Sequence, residues 1–135
     1  MLRTGLGVAA AVLVGLGVVY GWQLLGHMIF PVLQGVDVND PAKRAVLVNS
    51  NSVPAQAWVV AGYPVGAAVG GLLGNWISDA RWPAMGVAVM MAGAFFATLT
   101  STPHPFWMQV MGILSPLLVG VGVAMNIGHR RLVDA

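Results

Sequence analysis

Three histidines are the side chains of this 135-residue chain best suited to hold a metal or pass a proton, and their surroundings decide what they can do. His27 and His104 stand near the ends of two apolar stretches, and Asp37 lies in the polar segment after His27. Two imidazoles and a carboxylate form an N/O set suited to a zinc-like ion. No short motif ties the three together, so they read as interfacial polar residues and no metal site is predicted. His129 sits at the far end among Arg130 and Arg131. A haem site would need histidines at one depth facing across a core, a pattern absent here. Eight methionines raise the question of copper, since Met108 and Met111 share a helical face near His104. Thioethers more often fill apolar interiors, and packing is the expected role.

The chain has no cysteine, which removes disulfides, thiol catalysis, iron–sulfur clusters and cysteine zinc sites together. Quinone-linked disulfide-forming membrane enzymes are excluded on the same ground. No nucleophile–base pair or acid cluster is visible, so no enzymatic activity is expected. No cofactor is predicted either, and bound lipid or pigment is the only small-molecule contact that such a sequence invites.

The elements that position these residues are set by the charges. All six Lys and Arg and all four Asp and Glu fall between or outside four apolar stretches. The stretches cover about 5–30, 53–77, 83–100 and 106–127, each near the ~20 residues that cross a ~30 Å hydrocarbon core. With 58% hydrophobic and 7% charged residues, the composition is far from that of soluble domains, where about a quarter are charged. The predicted fold is all-α, an integral membrane up-down-up-down four-helix bundle forming a single transmembrane domain over residues 1–135. The pI of 9.7 rests on a net charge of only +2, and the basic residues are scattered at span ends, so no nucleic-acid partner is expected. Met1-Leu2-Arg3 and the apolar run after it imitate a signal peptide, but the run is too long for one and is read as an uncleaved anchor.

No charge occupies the middle of a span, which argues against proton coupling. Small multidrug exporters of similar length need a carboxylate in the first helix, and this one has none. The intramembrane polar residues are Tyr20, Gln23, Tyr63, Thr98, Thr100, Gln109 and Ser115. Gln23 and Gln109 fall at similar depth, and a hydrogen bond between them is expected as glue between helices.

Orientation follows from the basic residues near the span ends. Arg3, Arg81, Arg130 and Arg131 on one side outweigh Lys43 and Arg44 on the other, which predicts both termini in the cytoplasm of a bacterial inner membrane. The long outer segment, 31–52, carries Asp40-Pro41, a helix start with Asp as N-cap and Pro in the first turn. A short interfacial helix over 41–48 is expected there. Trp22, Trp58, Trp76, Trp82 and Trp107 all fall near span ends and are read as interfacial anchors.

The most regular pattern is glycine, of which there are eighteen. Gly66, Gly70 and Gly74 recur every fourth residue, as do Gly17 and Gly21 in the first span. Gly7, Ala11 and Gly15 form a second small stripe there, and Gly112, Gly120 and Ala124 mark the fourth span. Residues four apart share a helix face, so each stripe is a groove into which another helix can press. The stripes outnumber the seams of a four-helix bundle, so at least one is expected to meet another subunit or another copy.

The order of motifs resembles a family of small four-span bacterial inner-membrane proteins with no assigned activity. The residues that carry the resemblance are Leu25-Gly26-His27 running into Phe30-Pro31, then Gly35-Val36-Asp37 with Asp40-Pro41, the Gly66–Gly74 stripe and His104-Pro105. It covers about 21–123 and implies fold and location alone. The function expected from the residues is a non-enzymatic structural or accessory subunit, or a homo-oligomer, in a respiratory or photosynthetic type of complex. A small channel or carrier for a neutral or apolar solute is the alternative.

Overall fold

The computed structural model describes residues 1–30, 39–50 and 52–133, without the side chains of 47–50 and 127–133. Five helices appear among them: α1 (Leu2–Ile29), α2 (Pro41–Ser50), α3 (Val53–Ser78), α4 (Trp82–Ser101) and α5 (Phe106–Val133). All but α2 are long and apolar enough to cross a membrane. This is the architecture of an all-helical, multi-pass membrane protein. Each long helix begins or ends within a few residues of the apolar stretch that predicts it, except that α5 continues to Val133. Pro31, Gly35 and Asp37 lie outside the described residues.

The helix starts follow from local chemistry. Asp40 accepts a hydrogen bond from the Ala42 N–H through Oδ1 at 3.0 Å, which is the N-cap that the Asp-Pro pair predicts. Pro54 and Pro83 sit in the first turns of α3 and α4, where a missing N–H costs nothing. Asp79 ends α3 in the left-handed region at φ 53°, turning the chain into α4 within a few residues. The N-cap Arg81 gives α4 no side-chain cap. Asn75, one turn before the end of α3, supplies it instead: its Oδ1 accepts from the Ala84 N–H at 3.0 Å. Asn75 is only 1% exposed, and its Nδ2 has no partner among the described residues.

The α1–α3 contacts run in opposite sequence order along the two helices. Gly7 meets Gly74 and Ser78, Ala11 meets Gly70, Gly15 meets Gly66, and Gly26 meets Trp58. The same reversal relates α4 to α5, where Phe95 lies on Gly112 and Ala88 on Gly120. On α3 and α4, Gly74 meets Pro83 and Tyr63 meets Phe95 edge-on at 5.1 Å. Two buried clusters fill the spaces that remain. Ala11, Ala67, Val87 and Met91 form one, and Val60, Phe95 and Met108 the other.

Candidate functional site

The close seam between α1 and α3 is made of missing side chains. A Cβ placed on Gly74 would stand 2.6 Å from the Gly7 carbonyl oxygen, and one on Gly66 would stand 2.7 Å from that of Gly15. At Gly70 the Ala11 carbonyl oxygen is nearer still. No real Cβ tolerates such distances from a backbone atom, so these three positions require glycine for close approach. The stripe at Gly66, Gly70 and Gly74 therefore faces a helix of the same chain. Its partner is the Gly7, Ala11 and Gly15 stripe and not Gly17 and Gly21, which have nothing within 4 Å. Gly17 and Gly21 share a face with each other, and among the described residues that face meets no other helix of the chain. Gly112 and Gly120 face α4 through Phe95 and Ala88, and Ala124 is buried at 7% exposure.

At the other end of the seam, two tryptophans close on each other. Trp22 Nε1 donates to the Trp58 carbonyl at 2.7 Å, and Trp58 Nε1 donates to the Trp22 carbonyl at 2.9 Å. Their rings stack with centroids 4.5 Å apart and 19° between planes. Gly26 and Gly62 provide the space, since a side chain at either would run into an indole. An anchoring tryptophan directs its N–H at headgroups, whereas these two satisfy helix carbonyls across a seam. Trp22 and Trp58 are thus joined to each other across the seam, at positions where interfacial anchors are expected from the sequence. Trp76, Trp82 and Trp107 are exposed, as an anchor must be.

The intramembrane polar groups bond locally. Gln23 Nε2 donates to the Val59 carbonyl at 3.1 Å, and Gln109 Nε2 to the His104 carbonyl at 2.8 Å. The expected Gln23–Gln109 bond is replaced by these two. Thr98, Thr100 and Ser115 donate to carbonyls of their own helices, at Phe95, Ala97 and Met111. His104 is half-buried against Phe95, with Nδ1 2.6 Å from the Thr102 carbonyl. His27 is exposed, and Asp37 lies outside the described residues. Among the described residues no three His, Asp or Glu side chains stand close enough to hold a metal.

Two openings flank α3. A cleft of about 80 Å³ lies between α1 and α3, lined by Gln23, Gly26, His27, Phe30, Ala55, Trp58 and Val59. A wider groove of about 270 Å³ lies between α3 and α5, lined by Ala57, Val60, Ala61, Pro64, Trp107, Met111 and Ser115. Its walls are almost wholly hydrocarbon. Small residues at Ala57 and Ala61 open it, and Pro64, inside α3, leaves one helix hydrogen bond unmade beside it. Sequence reading missed both openings, because a pocket between helices depends on which faces meet.

No protein-family model, no curated protein and no solved structure matches this chain. The functional reading rests on the residues themselves.

Proposed function

We propose that this chain is a non-enzymatic protein of a bacterial inner membrane, an up-down-up-down bundle of α1, α3, α4 and α5 with both termini in the cytoplasm. It forms one domain, and α2 lies along the outer surface with Lys43 and Arg44 toward headgroups. Its role is to pack as an accessory subunit, or as copies of itself, within a larger complex of respiratory or photosynthetic type. The supporting observation is the outer face of α1. Gly17 and Gly21 have no neighbour there, among exposed Leu13, Leu16, Tyr20 and Leu24. Glycine weakens a helix by ~1 kcal/mol relative to alanine in water, so glycines without an internal contact fit a helix that meets another one.

The carrier alternative needs a polar track through one seam. The residues available for it donate instead to nearby backbone carbonyls, and most of these lie on the donor's own helix. That favours the packing role. The test is the mass of the particle extracted in a mild native polymer. The expected result is a particle well above the 14.0 kDa of one chain, reduced in size by Gly17→Leu with Gly21→Leu. A monomer with unchanged behaviour, or solute flux in reconstituted vesicles, would overturn the reading.

A further inference from the structure

The cleft beside Trp58 carries polar and aromatic groups, unlike the groove between α3 and α5. It lies within two turns of the end of α1 and of the start of α3. These helices have 28 and 26 residues, or about 42 and 39 Å at ~1.5 Å per residue. A ~30 Å hydrocarbon core leaves their last turns in the headgroup layer. The cleft therefore opens where lipid headgroups reside.

Its chemistry selects a cation. Among the described residues His27 lines it and neither Lys nor Arg does. Gln23 Nε2 is held by the Val59 carbonyl, which orients the amide and leaves Oε1 as its acceptor. The last turn of α1 ends here, and the negative end of the helix dipole favours positive charge. Trp58 and Phe30 both line the cleft, with ring centroids 6.3 Å apart and planes 59° apart, forming an aromatic corner. Aromatic faces attract ammonium groups, tryptophan most strongly. Size decides against a larger ligand. A cavity of about 150 Å³ holds a benzene ring, and this cleft has about 80 Å³, enough for an ammonium and its first carbons. The wider groove across α3 offers almost only hydrocarbon.

We propose that this cleft binds an alkylammonium group, supplied by the ethanolamine or choline headgroup of a membrane lipid or by the corresponding free amine. The experiment places the full chain in nanodiscs of phosphatidylglycerol alone, or mixed with phosphatidylethanolamine or phosphatidylcholine. Retained lipid is measured by native mass spectrometry, and free choline and ethanolamine are titrated separately into the phosphatidylglycerol discs. Two variants accompany the wild type. Ala55→Leu fills the cleft, and His27→Lys sets a fixed cation in its lining at an exposed position that leaves the fold alone. Selective retention of the ammonium lipids assigns the site to a headgroup, and binding of the free amines without lipid selectivity assigns it to a small amine. In either case His27→Lys should weaken binding at least about tenfold with an unchanged melting temperature. Equal retention of all lipids with no amine binding overturns the proposal. So does binding that survives His27→Lys at full strength, whether or not Ala55→Leu folds.

Discussion

The α1–α3 and α4–α5 seams both use glycine every few residues, yet they are built on opposite principles. Along α1–α3, glycine meets backbone: Gly66, Gly70 and Gly74 lie against the carbonyls of Gly15, Ala11 and Gly7. Along α4–α5, glycine makes room chiefly for side chains: the Phe95 ring covers Gly112, and the Ala88 methyl lies over Gly120, where a Cβ would also come to 3.0 Å from the Ala84 carbonyl oxygen. At these three positions the backbone cannot turn aside, because moving a carbonyl moves its helix. The second has a ring, and rings have rotamers. The same residue pattern therefore gives a rigid contact in one place and an adjustable one in the other. Packing density is what both gain, since lipid provides no hydrophobic force to push helices together.

The distinction is broken or sharpened by substitution. The largest effect is expected for Gly70→Leu, which sets an isobutyl group where the Ala11 carbonyl stands. Stability should fall by at least about 3 kcal/mol, with loss of folded protein on extraction. Leu73→Ala, on another face, should be milder. Gly70→Ala and Gly112→Ala then compare the seams with an identical change. The former should cost close to ~3 kcal/mol and the latter nearer ~1 kcal/mol, read as melting temperatures in one detergent. Equal losses would mean that Phe95, 1% exposed, is as immobile as backbone, and the distinction would be lost. Trp58→Phe keeps a ring to stack on Trp22 and removes one N–H bond, for an expected ~0.6–2 kcal/mol. The smallest effect belongs to Gly17→Ala in the isolated chain, within about 0.5 kcal/mol, because no atom stands within 4 Å. A large loss there would show that the outer face of α1 is already occupied in the extracted particle.

Much of the fold is readable from sequence because charge and hydropathy report where a chain leaves a bilayer. The spans, the Asp40 cap and the existence of α2 all come from that signal or from local turn chemistry. The pairing of faces is not readable in the same way. In water a polar face marks the outside of a helix, whereas every face of α1 is apolar, so nothing in its pattern separates Gly7, Ala11 and Gly15 from Gly17 and Gly21. Trp22 and Trp58 were obscured for a related reason. A tryptophan near a span end has the same sequence signature whether its N–H meets a headgroup or a carbonyl 36 residues away. Glycine one turn from an end, at Gly26, is the faint clue, since it is the space an indole needs. The cap that Asn75 lends to α4 leaves a stronger trace: a lone Asn in an apolar helix, nine residues before the N–H it serves.

The α1–α3 seam also carries an order of events. Ribosomes release the chain from its N-terminus, and every residue of this seam, from Arg3 with its bond to the Ile77 carbonyl to the Trp22–Trp58 clasp, precedes Trp82. All the residues of this helix pair are therefore made before the first residue of α4. Asn75, which accepts from the Ala84 N–H, precedes it by only nine residues. The acceptor for the start of α4 thus precedes α4 itself in the chain.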